Sequence, residues 1–355
     1  DIDPAGDDGA TENPTKQFNA VAYTGDGTTS NAISVGFQPD LVWIKQRSPS
    51  ADYSNSLVDS SRGRDKVIYS QRTTDEVSTG STQDVVSFDS NGFTLGTNNQ
   101  TSSNNDGREF VAWCWKANGG TTASNSDGDI TSTVQANTKA GFSIVQFTSN
   151  NTANQTVGHG LGAVPKFMLV KPLTPGSWSW WTYHIYNGTL GYFILQNGTA
   201  FSSGTGGFGA HPTSSVFTMG AVGSSMPNNT STPVIAYCWA DVKGSSKFGI
   251  YEGNANADGP FIYTGFRPRM LFVKDADRGE NWVTFDSARN TFNSVDKGVF
   301  WNASSAESTG SGSGFDVDIL SNGFKMRCTH DNLNGSSTYI YGAWGDVPFK
   351  YNNTF

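Results

Sequence analysis

The chain has 355 residues, of which 15% are charged, and its net charge is −8. This acidic balance argues against a nucleic-acid partner, because contact with phosphates needs a basic surface. The sequence contains no run of 18 apolar residues, so it predicts no insertion into a membrane.

Aromatic residues make up 13% of the chain, and glycine occurs 41 times. Short aromatic and β-branched runs alternate with Gly, Asn, Ser and Asp, which is typical of strands joined by turns. The sequence therefore predicts an all-β fold with enough apolar bulk for hydrophobic cores. Residues 1–17 are acidic and contain glycine and proline, which indicates an N-terminal arm or linker.

Three motifs recur in the same order three times. The first, a glycine, a proline and an apolar run ending in lysine, lies at 36–45, 160–171 and 265–274. The second, a turn followed by an aromatic strand, lies at 89–95, 214–219 and 320–326. The third, a closing strand, ends in Trp115, Trp239 or Trp344. This recurrence predicts an internal repeat.

The repeats divide the chain into three units, at 18–118, 140–244 and 246–355, and 119–139 is predicted to be a polar, flexible linker. Each unit has the size of a β-sandwich. We therefore predict three tandem β-sandwich domains of the jelly-roll or lectin-like kind, each with its own separate hydrophobic interior. Asn91-Gly92 and Asn322-Gly323 indicate hairpin turns, because both residue types tolerate positive φ.

No pattern in the sequence indicates a catalytic, metal or cofactor site. Cys114 and Cys238 occupy corresponding repeat positions, so we expect two buried, unpaired cysteines. No two of the four histidines have a metal-ligand spacing. A polysaccharide-cleaving enzyme needs two carboxylates beside the scissile bond, and the nearest approach, Asp316 and Asp318, has no counterpart in the other repeats. We predict that the protein is not an enzyme.

Two short motifs, from Asp59 to Arg62 and from Asp286 to Arg289, resemble each other. In one interpretation, the aspartate and the arginine hold a sugar hydroxyl. In the other, the aspartate caps backbone N–H groups of a turn and the arginine pairs across the loop. The remaining unit has His184 at the corresponding place, which indicates a polar strand end.

Trp178, Trp180 and Trp181 form a dense aromatic segment in the second unit. Alternate residues of a strand point to opposite faces, so we expect at least one of the three to be exposed. An exposed tryptophan beside asparagine and serine can stack on a sugar ring, and it can equally hold a partner subunit. These three tryptophans, with the two aspartate–arginine pairs, are the candidate ligand-binding residues.

The chain resembles a family of repeat domains that is frequent in virion structural and tail-fibre-like proteins of marine bacteriophages. The matching motifs are GFQPDLVWIK at 36–45, VAWCWK at 111–116, GHGLG at 158–162, DGPFIYTGFRP at 258–268, SNGFK at 321–325 and PFKY at 348–351. The ending at 345–347 departs slightly from the family's usual pattern. The resemblance implies a virion component at the particle surface, and it supplies no catalytic residues.

Three functions follow as hypotheses. The first is a tail-fibre or receptor-binding protein that contacts a host-surface glycan. The second is a capsid or tail decoration or adaptor protein that binds other virion subunits and no host ligand. The third is a polysaccharide depolymerase. The expected partners are other virion proteins, further copies of the chain in a homo-oligomer, and the glycan.

Overall fold

A computed structural model describes residues 14–48, 55–97, 103–174, 176–222, 227–308 and 314–346. Within these residues nearly all regular structure is β-strand, and the sheets are antiparallel, which confirms the predicted all-β class. The helical elements are two 3-10 helices (Pro14–Lys16 and Leu195–Asn197) and the single-turn helix α1 (Asp331–Asn334). Residues 1–13 of the predicted arm lie outside the described residues.

Within the described residues, the first sandwich is formed by nine strands. They are β1 (Phe18–Thr24), β2 (Asn31–Ser34), β3 (Leu41–Gln46), β4 (Ser56–Asp59), β5 (Lys66–Tyr69), β6 (Val77–Ser78), β7 (Val85–Asp89), β8 (Gly92–Leu95) and β9 (Glu109–Trp115). Its large sheet has the order β1-β9-β3-β4-β5-β6, and its small sheet has the order β2-β8-β7.

In the second sandwich the structure describes eleven strands. They are β10 (Ala123–Asn125), β11 (Ser132–Asn137), β12 (Phe142–Asn150), β13 (Thr156–Gly158), β14 (Pro165–Pro172), β15 (Trp181–His184), β16 (Gly191–Ile194), β17 (Ser202–Ser203), β18 (Phe208–Ala210), β19 (Val216–Met219) and β20 (Thr230–Ala240). Its large sheet has the order β10-β11-β12-β20-β14-β15-β16-β17, and its small sheet has the order β13-β19-β18.

The described part of the third sandwich contains eight strands. They are β21 (Ser246–Glu252), β22 (Phe261–Tyr263), β23 (Pro268–Asp275), β24 (Val283–Asp286), β25 (Val299–Phe300), β26 (Val317–Leu320), β27 (Gly323–Met326) and β28 (Thr338–Gly345). The large sheet has the order β21-β28-β23-β24-β25, and the small sheet has the order β22-β27-β26.

The three large sheets share one strand order. In each, a closing strand (β9, β20 or β28) lies between an opening strand (β1, β12 or β21) and the strand of the proline-to-lysine motif (β3, β14 or β23). All of these neighbours are antiparallel. The recurring sequence motifs thus occupy corresponding places in the three sheets.

Each closing strand is buried on both faces. In β9, Phe110, Ala112 and Cys114 pack against the small sheet of their own sandwich. The residues that alternate with them point the other way, because side chains in a strand alternate between faces. Of these, Trp113 and Trp115 enter a further apolar cluster that receives side chains from all three sandwiches.

Within this shared core, one tryptophan from each closing strand contacts the other two. The ring centroids of Trp115 and Trp239 are 5.6 Å apart, those of Trp115 and Trp344 are 5.4 Å apart, and those of Trp239 and Trp344 are 6.0 Å apart. The three pairs meet edge to face, a favourable geometry for aromatic rings. Each sandwich has its own interior, as expected, but the fourth core, which joins the three sandwiches, was not predicted.

The segment 119–139 also differs from its prediction as a flexible linker. It contains β10 and β11, and β11 pairs with β12 along five residues. Gln135 is fully buried within it and donates from its side-chain amide to the hydroxyls of Ser60 and Ser61. Polar composition had indicated a linker, but here polar side chains bridge two sandwiches.

Glycine has two different roles at the turns. The glycine that opens each proline-to-lysine motif has a positive φ, at Gly36 (99°), Gly160 (71°) and Gly265 (86°). The hairpin at Asn91-Gly92 forms as predicted, but neither residue has a positive φ. A Cβ on Gly92 would lie 1.9 Å from the carbonyl oxygen of Ile33, so this glycine permits a close approach of two strands.

We predict that Trp239→Ala lowers the free energy of unfolding by about 3–5 kcal/mol, because it leaves a cavity in the shared core. Hydrogen exchange should show weaker protection in β9 and β28 as well as in β20. The exposed Tyr263→Ala should change stability by less than about 0.5 kcal/mol. Loss of protection in the second sandwich alone would contradict a coupling role for the shared core.

Candidate functional site

Each sandwich contacts the next through the polar residue that ends one strand of its large sheet. These residues are Asp59 in β4, His184 in β15 and Asp286 in β24, as expected for a polar strand end. The hydrogen bonds join Tyr237 Oη to Asp59 (2.7 Å), His184 Nε2 to the carbonyl of Tyr341 (3.0 Å) and Trp113 Nε1 to Asp286 (3.1 Å). The contacts run from first to second, second to third and third to first sandwich, and so close a ring within one chain.

The pair Asp59 and Arg62 forms both a turn and part of this ring. Asp59 Oδ1 accepts the backbone N–H of Ser61 and of Arg62, and Oδ2 accepts Arg62 Nε and the hydroxyl of Tyr237. Burial works to lower the pKa of Arg62, but the adjoining Asp59 carboxylate holds it well above its usual value. Asp59 is 0% exposed, so the interpretation in which it holds a sugar hydroxyl is wrong.

Asp286 and Arg289 have the same geometry and are equally buried. Arg289 Nε donates to Asp286 at 2.7 Å, and Arg289 Nη1 donates to Glu307 at 2.9 Å. Arg47 of the first sandwich reaches the same Glu307 with Nε at 2.8 Å. These charges pair with one another inside an interface, so a ligand role for Asp286 and Arg289 is also wrong.

The lysine that ends each proline-to-lysine motif is buried as well. Burial lowers the pKa of Lys45 to about 7 and the pKa values of Lys171 and Lys274 to about 8. Lys45 Nζ donates to the carbonyls of Ala303 and Ser305 at 3.0 and 2.8 Å, which belong to the third sandwich. These amines anchor backbone carbonyls, which is a structural role.

Trp178, Trp180 and Trp181 are all buried, and the expected exposure of at least one of them was wrong. Trp180 enters the shared core and donates from Nε1 to the carbonyl of Tyr69 at 2.8 Å. Trp181 enters the interior of the second sandwich. As alternation predicts, the rings of Trp180 and Trp181 point to opposite faces of the sheet. One face packs against the shared core and the other against the interior of the second sandwich. The three tryptophans therefore offer no platform for a sugar ring.

An exposed aromatic pair lies elsewhere, on the outer face of the third small sheet. Tyr263 is 65% exposed and Phe261 is 47% exposed, whereas Ile262 between them points into the sandwich. The register places Ile262 opposite Phe324, just as Ile33 and Val157 lie opposite the equivalent phenylalanines of the other small sheets. The counterparts of the aromatic pair are therefore Ala32 and Ser34 in the first sandwich and Thr156 and Gly158 in the second.

A cavity of about 440 Å³ lies between the first and second sandwiches. The first sandwich contributes Arg62 and Glu76, whose side chains are joined by a hydrogen bond of 2.9 Å. The second contributes hydroxyl and amide groups from Thr131, Thr133, Gln146 and Thr148. Of the candidate residues proposed from the sequence, Arg62 alone lines this interface cavity. No sequence pattern pointed to Glu76.

Among the residues that the structure describes, no three His, Cys, Asp or Glu side chains are grouped so that they could hold a metal ion. The described helices are also too short to cross a membrane. Cys114 and Cys238 are buried and unpaired, as predicted, and burial raises the pKa of both thiols.

These features define an all-β protein of three sandwiches closed into a ring, with an exposed aromatic pair on its outer surface and a cavity in one interface. The chain belongs to the family described as Domain of unknown function (DUF7483), whose model matches residues 13–348. That match spans every described strand of the three sandwiches. No curated protein matches the chain, and no solved structure matches it.

We predict that His184 makes stability depend on pH. Burial lowers the pKa of His184 to about 4, so the unfolded chain binds more protons than the folded chain between pH 4 and about 6.5. Stability contributed by the neutral imidazole is therefore complete above pH 6.5 and is lost as the pH falls toward 4. Urea unfolding at pH 7 and 4.5 should show a loss about 2 kcal/mol larger in the wild type than in His184→Gln. Equal losses in the two proteins would contradict the prediction.

Proposed function

We propose that the chain is a non-enzymatic structural protein of a virus particle, of the tail-fibre or receptor-binding type, that contacts a host-surface glycan. The aromatic pair Phe261 and Tyr263 is the observation that carries the glycan contact. The proposal keeps the virion surface as the location and keeps other virion proteins and copies of the chain as partners, both from the sequence resemblance.

The ring of sandwiches supports a structural role. Its charged side chains at the interfaces pair with each other, and its closing strands are buried on both faces. A body of this kind holds surface groups in fixed positions, which lowers the entropy lost on binding. We do not extend the proposal to cleavage, because Asp318 pairs with Arg327 and Asp316 accepts a hydrogen bond from Ser294.

The surroundings of the aromatic pair suit a sugar. Phe261 and Tyr263 occupy alternate positions of β22, so their Cα atoms are about 7 Å apart along one face. Lys325 lies opposite Phe261 in the neighbouring strand, and its Nζ is 2.7 Å from Asp258 Oδ1. Apolar rings beside ammonium and carboxylate groups combine a stacking surface with hydrogen-bonding partners.

A decoration or adaptor protein is the second candidate, and Phe292 favours it. This side chain is 83% exposed. Its neighbour Asn293 exchanges two hydrogen bonds with the backbone of Ile319 in β26. An exposed phenylalanine next to such a fixed residue can enter an apolar recess of another subunit.

Binding of the purified chain to immobilised host lipopolysaccharide and to a glycan array tests the proposal. We expect Tyr263→Ala and Phe261→Ala each to weaken glycan binding by about tenfold, since each removes one stacking ring. The matched control exchanges Ala32→Thr and Ser34→Gly, which gives the first small sheet the residues of the second and should leave binding unchanged.

Two results would overturn the glycan contact. The first is an absence of glycan binding by the wild type, and the second is equal binding by the wild type and Tyr263→Ala. If Phe292→Ala also released the chain from its particle in either case, the adaptor function would replace the receptor-binding function.

A further inference from the structure

The three interfaces of the ring are built alike, which allows them to be compared position by position. In each, a segment of one sandwich makes the same backbone hydrogen bond to the residue two places after the buried lysine of the next sandwich. The bonds run from Glu307 N to Arg47 O (2.9 Å), from Glu76 N to Leu173 O (2.9 Å) and from Phe201 N to Ala276 O (2.7 Å). Glu307, Glu76 and Phe201 are therefore equivalent, and so are Arg47, Leu173 and Ala276.

Between the third and first sandwiches, Glu307 binds two guanidinium groups. Arg289 approaches from its own sandwich with Nη1 at 2.9 Å. Arg47 approaches from the next with Nε 2.8 Å from Oε2 and Nη2 3.2 Å from Oε1. This two-point contact is the strong form of an arginine–carboxylate pair. The carboxylate is thus fully partnered inside the protein.

Between the second and third sandwiches, no carboxylate occupies this position. Phe201 replaces the glutamate and packs against Tyr186 and Phe193, with ring centroids 4.5 and 5.3 Å away. Its opposite residue is Ala276, which carries no charge. An apolar pair therefore fills this interface, and no cation is needed.

Between the first and second sandwiches, the glutamate is present but the second arginine is absent. Among the described residues, Glu76 accepts a side-chain hydrogen bond from Arg62 alone, at Oε2. Leu173 stands at the position of Arg47, and the interface cavity opens beside it. Lys66 Nζ is 4.0 Å from Glu76 Oε1, beyond hydrogen-bond distance, and donates instead to Ser78 at 2.6 Å. Glu76 Oε1 is left to accept from a group that enters the cavity.

We infer that the interface cavity binds a guanidinium group, which takes the place that Arg47 has in the equivalent interface. Glu76 supplies the carboxylate, while Thr131, Thr133, Gln146 and Thr148 supply oxygen acceptors for the remaining N–H groups. The chemistry is that of a monosubstituted guanidinium, carried either by a free small molecule or by an arginine side chain of a partner protein. This site is independent of the aromatic pair and of the proposed glycan contact.

The first test measures binding of methylguanidinium to the full chain at low ionic strength by calorimetry. Methylurea has nearly the same shape without the charge, and tetramethylammonium has the charge without N–H donors. We expect methylguanidinium to bind with one site per chain and the two controls not to bind. Absent binding of methylguanidinium, or equal binding of methylurea, would overturn the inference.

Variants locate the site. Glu76→Gln removes the carboxylate charge and should weaken methylguanidinium binding by about tenfold or more. Leu173→Arg introduces the side chain of the equivalent interface, so an internal guanidinium should occupy the cavity and abolish binding. Glu109→Gln, an exposed carboxylate in the interface that already holds Arg47, is the matched control and should leave binding unchanged. Unchanged binding in Glu76→Gln would overturn the inference even if Leu173→Arg failed to fold.

The source of the guanidinium is distinguished by comparing agmatine with the blocked peptide Gly-Arg-Gly. Tighter binding of the peptide assigns the site to an arginine of a partner protein, and tighter binding of agmatine assigns it to a small molecule. Binding of neither, when methylguanidinium binds, would contradict a cavity that admits a substituent chain and would overturn the monosubstituted ligand class.

Discussion

Trp115, Trp239 and Trp344 meet edge to face in the middle of the protein, and the large sheets must all turn one face toward them. Each closing strand therefore divides its side chains between two interiors, one within its sandwich and one shared. The shared core also needs small residues where two of its side chains would overlap. A Cβ on Gly342 would lie 2.3 Å from the ring of Phe272, so the third closing strand has glycine where the first has Trp113.

This arrangement decides where the protein can bind other molecules. Because the inner faces of the large sheets are occupied by the shared core, binding groups must lie on the outer surface or in the interfaces of the ring. Both proposed sites are places where equivalent positions of the three sandwiches carry different residues. The aromatic pair on β22 replaces small or polar residues, and Leu173 replaces the arginine that pairs with the equivalent glutamate. A position that differs among the repeats does not have to make the same packing contact in all three, so its side chain can bind another molecule.

The sequence predicted the strands and much of their burial, because repeated motifs report on shared backbone geometry. The all-β class, the hairpin at Asn91-Gly92 and the polar strand end at His184 were all predicted from one chain, whereas the positive φ expected at Asn91-Gly92 is absent. The sequence did not show what packs against the second face of each large sheet. An apolar residue has the same pattern whether it packs against its own unit or against another unit. Trp180 was misread for this reason. The exposure of Tyr263 could be predicted only by aligning Ile262 with Ile33. That alignment depends on the register of the small sheets, which the sequence does not show. Glu76 lies too far from Leu173 in sequence for any spacing to join them.

Scanning calorimetry of the intact chain tests most directly whether the shared core makes the three sandwiches fold as one body. A single cooperative unit unfolds in one transition whose calorimetric enthalpy equals its van't Hoff enthalpy. We expect that equality. Two or three resolved transitions, or a calorimetric enthalpy several times the van't Hoff value, would mean that the sandwiches unfold independently and that the tryptophan contacts do not unite them.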